Sequence, residues 1–164
     1  MIEMLVASSL ALALATVIAA LTYYSSYSFV SMANYTDMNK QSQLALDKLS
    51  KEIRQARGLI AYATNSITLL DADGVSFQLA YNPSTRTLTK LAGGNTTTYL
   101  TECNALNFFV YQHTIISNSF ACYNTANITN ARVIQMTWKC SRDIRGKKAT
   151  SESVQSAEIV IRNH

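Results

Sequence analysis

The sequence predicts an α+β protein: a long N-terminal α-helix whose C-terminal half packs on a head made of antiparallel β-sheet. Three observations predict it. No Gly or Pro occurs from Met4 to Arg57, so nothing breaks a helix over that span. From Ile67 onward, short apolar-polar alternations are separated by turn residues, the pattern of half-buried strands. Between these regions, Leu46, Leu49, Ile53, Ala56 and Ile60 recur at spacings of three and four, a stripe that a core must cover. The 164 residues suffice for one domain plus an anchor. Residues 1–57 are expected to form the helix, with 1–24 its transmembrane or filament-core part, and 58–164 the head.

The helix begins with a single acid, Glu3, at the tip of an apolar run, and the next charged residue is Asp37. From Met4 to Leu21 only Ser8, Ser9 and Thr16 are polar, a run close to the ~20 residues that cross a ~30 Å hydrocarbon layer. No Lys or Arg precedes the run and it continues past the small-x-small site Ala11-Leu12-Ala13, so a cleaved secretory signal is disfavoured. An acid here calls for a cationic partner. The helix N-terminus supplies one, and an α-ammonium, this chain's own or a neighbour's, would supply another. Tyr23, Tyr24, Tyr27 and Phe29 follow where an interfacial aromatic belt lies, and packing or anchoring is favoured for them over a conducting stack. Farther on, Asp47 with Lys51 and Lys48 with Glu52 have the i,i+4 spacing of helix ion pairs, and Gly58 stands where a C-cap would close the helix near Arg57.

In the head, Ile67 to Leu70 and Val75 to Tyr81 flank the hairpin signal Asp71-Ala72-Asp73-Gly74, and Asn82-Pro83-Ser84-Thr85 leads to a strand from Arg86 to Leu91. Gly93-Gly94-Asn95 turns into Thr96 to Leu100, and further strands are expected over Leu106 to Tyr111, Arg132 to Lys139 and Ala157 to Arg162. Ser141 to Ser153 reads as a polar loop. Tight turns imply an antiparallel meander laid on the helix stripe.

Three cysteines, Cys103, Cys122 and Cys140, lie in the head. An exported head would hold one disulfide and one leftover thiol. Pairing Leu106 to Tyr111 with Arg132 to Lys139 so that Cys103 faces Cys140 also sets Tyr111 opposite Arg132, so a Cys103–Cys140 disulfide is expected. It would close a loop of about 38 residues, a stabilisation of about 4 kcal/mol in the chain-entropy picture. Cys103–Cys122 and Cys122–Cys140 stay open on sequence alone.

Met1-Ile2-Glu3-Met4-Leu5-Val6-Ala7 resembles the I-E-M-L-V-A core of the type IV pilin and type II secretion pseudopilin N-terminus, of the class III prepilin-like kind. Leu46-Asp47-Lys48-Leu49-Ser50-Lys51-Glu52-Ile53-Arg54-Gln55-Ala56 is similar to the L-x-x-L-x-x-E-I-R-x-A stretch of minor pilins and pseudopilins, and Ile159-Val160-Ile161-Arg162-Asn163 to their terminal strand. In that family a leader ending in Gly is cut before Phe-(Thr/Ser)-Leu-Ile-Glu and the new amine is methylated. Here only two residues precede Glu3 and no leader Gly is present, so Met1 is expected to be an internal residue of a longer precursor. The Pro or Gly that pilins often carry midway along the apolar helix is also missing, which implies a more continuous helix. The resemblance implies a subunit of an extracellular pilus-like filament serving adhesion, motility or DNA uptake. It waits in the bacterial inner membrane and assembles with copies of itself through Glu3, Met4, Leu5 and Val6. A prepilin peptidase and methylase and an assembly platform are the further partners implied. A minor pseudopilin of a type II secretion system is the nearest rival reading, and a single-pass membrane-anchored binding module the next.

Composition and motifs narrow the remaining classes. Net charge is +4 and charged residues are 15% of the chain, which serves solubility more than it identifies a partner. No G-x-S-x-G, H-E-x-x-H or phosphate-cradling loop occurs and His113 and His164 stand apart, so no catalytic or cofactor-binding residues are assigned and no enzyme is expected. The cysteine spacings of 19 and 18 residues match no compact zinc pattern. Arg142-Asp143-Ile144-Arg145-Gly146-Lys147-Lys148 could contact nucleic-acid phosphates, but no aromatics interleave with it, and a solvated loop or subunit contact is the favoured reading. Asn34, Asn95 and Asn127 begin N-x-S/T triplets, a motif short enough to arise by chance; Asn95 and Asn127 are kept as glycan candidates.

Overall fold

A computed structural model describes residues 1–116, 119–124, 128–144 and 147–161. One α-helix, α1, spans Ile2–Gln55, about 80 Å at the ordinary rise per residue, and it is unbroken through Thr16 to Tyr24. It stops two residues short of Arg57 and without a glycine cap. Ala56 turns extended (φ −65°, ψ 139°) while its N–H still reaches the carbonyls of Glu52 and Ile53. The Arg57 N–H already bonds Leu70 O at 2.8 Å, so a strand carbonyl has taken over from the helix. Gly58 opens a strand instead.

Five strands, β1 (Gly58–Ala63), β2 (Ser66–Leu70), β3 (Ser76–Asn82), β4 (Thr87–Ala92) and β5 (Asn95–Leu100), form an antiparallel meander in chain order. Two of its four turns are built on glycines. Gly74 (φ 79°) donates to Asp71 O and the Asp71 N–H bonds Val75 O. Gly93 and Gly94 (φ 55° and 82°) sit between the paired Ala92 and Asn95, the two left-handed residues of a two-residue hairpin turn.

The head holds a second sheet where one meander was expected. Strands β6 (Cys103–Ile116), β7 (Ser119–Asn124), β8 (Val133–Ile144) and β9 (Lys147–Val160) lie in the order β7-β6-β8-β9, with a 3-10 turn at Ile128–Asn130. Cys103 does face Cys140, but the register slips by one before Ala105↔Lys139, and Tyr111 faces Val133 instead of Arg132; the bulge absorbs Asn104. In the polar stretch 141–153, expected as a loop, residues 141–144 continue β8 and 147–153 belong to β9, with Ser141↔Glu152, Arg142↔Ser151 and Ile144↔Lys147. The last strand ends at Val160, and the Ile161 N–H closes on Arg132 O; Arg162 and Asn163 lie outside the described residues.

One core joins helix and sheets. Along α1 the buried residues are Met38, Ser42, Ala45, Leu49 and Ile53, at spacings of four, three, four and four. Leu46 is only half-buried beside this stripe and Ile60 lies exposed on β1, so the expected stripe is correct at Leu49, Ile53 and Ala56 and one position off at its start. Leu49 and Ile53 share one buried cluster with Leu79, Leu88, Phe108, Met136 and Trp138, all fully inside; each such side chain contributes about 1.5–3 kcal/mol by leaving water.

Candidate assembly surface

The head covers only the lower part of α1. From Ile2 to Ser26 every residue is exposed, a rod of about 37 Å set against a hydrocarbon layer of about 30 Å. Met4, Leu5, Val6, Leu10, Leu12, Leu14, Val17, Ile18 and Leu21 point outward on all sides, each more than half exposed. A helix apolar all round is stable only when something dry surrounds it. This segment is long and apolar enough to cross a membrane.

Five of its hydroxyl side chains are satisfied locally. Ser8, Ser9 and Thr16 donate to the carbonyls of Leu5, Val6 and Ala13, and Thr22 and Ser26 to those of Ile18 and Thr22, all at 2.8–3.0 Å. These back-bonds leave those hydroxyl protons no demand on a surrounding solvent, so an apolar environment suits the rod along its length. Glu3 is the exception. It sits exposed in the first turn where the N–H dipoles favour a carboxylate, and it makes no ion pair among the described residues. The expected assembly residues Glu3, Met4, Leu5 and Val6 are thus adjacent at one tip, all exposed at the end of α1 remote from the head. Of the aromatic belt, Tyr23 and Tyr24 meet edge to face with ring centroids 6.0 Å apart.

Where the rod enters the head, ionic contacts hold its direction. The Arg142 guanidinium, on β8, donates to both carboxylate oxygens of Glu102 and reaches Asn34 Oδ1 at 3.3 Å and Asp37 Oδ2 at 3.1 Å on α1. Gln155 Nε2 on β9 bonds Asn39 Oδ1. Lower down, Glu52 Oε1 accepts from Lys90 Nζ at 2.8 Å and from the Tyr99 hydroxyl at 2.6 Å; burial, then this hydrogen bond, push the Tyr99 phenol up. Trp138 Nε1 lies 3.4 Å from Ser42 Oγ in the core. The expected Lys48–Glu52 pairing therefore gives way to Lys90, and no Asp47–Lys51 bridge forms.

Sequence spacing does not reveal this set of clamps because each joins residues 38 or more positions apart. Of the basic stretch 142–148, residues 142–144 continue β8 and 147–148 open β9, and the first cation, Arg142, is spent on Glu102 and on the helix. Arg145, Gly146, Asn127 and His164, and the side chains of Lys147, Lys148, His113 and Cys122, lie outside the described residues. Asn95 is exposed at the turn into β5. No group of three or more His, Cys, Asp or Glu that could hold a metal occurs among the described residues.

The expected cysteine pair is brought together. Cys103 and Cys140 face each other in the core with their sulfurs 2.9 Å apart, while Cys122 lies on β7 opposite His113. Hydrogen bonding to Cys140 and burial push the Cys103 thiol up. No family model matches the chain, and neither a curated protein nor a solved structure does.

Proposed function

We propose that this chain is the structural subunit of a pilus-like helical filament, held in a membrane by the upper half of α1 before assembly and packed through that same segment afterwards. One observation carries the reading: a continuous helix, clamped to its head at the lower end, leaves residues 2–26 uncovered by the chain itself, with large apolar side chains on every side. Lipid covers such a surface before assembly, and copies of the same helix replace lipid by side-chain packing afterwards. The heads then form the outer surface. The resemblance of Met1 to Ala7 to the pilin N-terminus supports the same conclusion, with Glu3 neutralised by an amine of a neighbouring copy. A single-pass anchored binding module needs the apolar segment but not an acid at its tip, and the cost of carrying a charge into an apolar environment favours the filament.

The test is fractionation of cells producing the chain. Filament assembly places it in material sheared from the cell surface, as fibres seen by electron microscopy and composed chiefly of this chain. A minor pseudopilin would be a trace component of fibres built from another subunit. Recovery solely from membranes, as single chains in detergent, would contradict assembly.

A further inference from the structure

We propose that Cys103 and Cys140 are joined by a disulfide in the mature protein and that Arg86 is the residue that positions them for it. The two residues face each other across β6 and β8, their sulfurs are 2.9 Å apart, and they are 0% and 3% exposed. Bond formation asks for no movement of a strand, only closure between sulfurs already in contact.

The surroundings of the pair are built around one guanidinium. Arg86 Nη2 donates to Glu102 O at 3.0 Å and also to Ser141 O, the carbonyls immediately before Cys103 and immediately after Cys140. The Arg86 carbonyl accepts the Cys103 N–H at 2.9 Å, the Ser141 N–H bonds Glu102 O, and the Tyr81 hydroxyl bonds Cys103 O. Among the described residues, Arg86 and Glu102 are the non-glycine residues held at positive φ, 56° and 59°, and both touch this junction. Long side chains adopt that conformation only when the surroundings impose it. Arg86 Nε is buried without a hydrogen-bond partner, a cost tolerated while Nη2 binds the carbonyls flanking both cysteines.

The chemistry is exchange with a disulfide-bearing oxidant such as oxidised glutathione or an oxidised dithiol protein. One cysteine thiolate attacks the oxidant's disulfide, forming a mixed disulfide and releasing one thiolate. The second cysteine, deprotonated, attacks the mixed disulfide, forming the Cys103–Cys140 bond and releasing the other thiolate. The chain gives up two electrons and two protons and the oxidant is reduced to two thiols. Burial then shields the bond from reductants while the head stays folded.

The proposal does not rest on filament formation, so a cross-linked chain that makes no fibres would leave it standing. Full-length chain is extracted in detergent with thiols blocked by a maleimide at lysis and digested without reductant. A peptide linking Cys103 to Cys140, split by reductant, is expected; maleimide on both cysteines, or a link from either to Cys122, would overturn the bond. Equilibration with a glutathione redox buffer during refolding tests the positioning role. Arg86→Ala is expected to shift the dithiol–disulfide equilibrium toward the dithiol by about tenfold, Arg86→Lys to restore part of it, and Cys122→Ser to leave it unchanged. An Arg86→Ala chain with the wild-type equilibrium would overturn Arg86 as the positioning residue, and if that variant fails to refold, Arg86→Lys with the wild-type equilibrium would do the same.

Discussion

Glu3 is one carboxylate on an otherwise uncharged rod, and carrying an acid to the middle of an apolar layer costs roughly 2.5–3.5 kcal/mol, less near a helix end. It sits too far from the head to contribute to the head's fold, so Glu3→Ala is expected to abolish fibres while leaving urea unfolding of the head unchanged. Trp138, the sole tryptophan and fully buried, reports that unfolding by its emission; normal fibre yield from the variant would remove Glu3 from assembly. Glu52 works the opposite way. Its carboxylate is about three-quarters buried, as is Lys90, and Glu52→Ala leaves the Lys90 ammonium and the Tyr99 hydroxyl without their acceptor. A loss of about 1–3 kcal/mol is expected, read as a lower urea midpoint of the Trp138 signal with fibre assembly intact. Glu3 was legible in the sequence because its isolation is visible there. The partner of Glu52 was not, because Lys48 at i−4 competes on paper with a lysine that the fold brings from 38 positions away.

Elements were legible where their periodicity faces one core. Leu49 and Ile53 on α1, Phe77, Leu79 and Tyr81 on β3, and Ile134, Met136 and Trp138 on β8 are buried at helical or alternating spacing. Leu49→Ala removes a side chain at the centre of this contact and is expected to cost about 2–5 kcal/mol, measured by the same urea transition. Strand β1 was missed because Gly58 reads as a helix stop, and its burial follows no clean alternation. The far half of the β8–β9 hairpin was missed because Ser141 to Ser153 offers polar side chains to both faces and so carries no period. That extension matters, since it carries Arg142 to Asn34 and Asp37. Arg142→Ala is expected to lower stability by only about 1 kcal/mol, as partly exposed ion pairs do, yet to speed amide hydrogen exchange of α1 around residues 34–38. Unchanged exchange there would mean that core packing alone directs the rod.

At the scale of the molecule, a single helix serves two environments. Its lower half is amphipathic and completes the core of the head; its upper half is apolar all round and stays uncovered. The division into rod and head was legible from the distribution of charge, with none between Glu3 and Asp37. The split of the head into two sheets was not, because strand order depends on pairings that no local pattern encodes. A rod held by Arg142 at its exit and by Glu52 lower down cannot fold back to bury its own surface, so covering it requires other molecules. The most direct test is a reconstruction of fibres sheared from producing cells. Residues 4–26 packed as helices about the fibre axis, with the heads outside, is the predicted result; fibres in which those residues lie on the surface, or a chain that stays monomeric in the membrane, would contradict it.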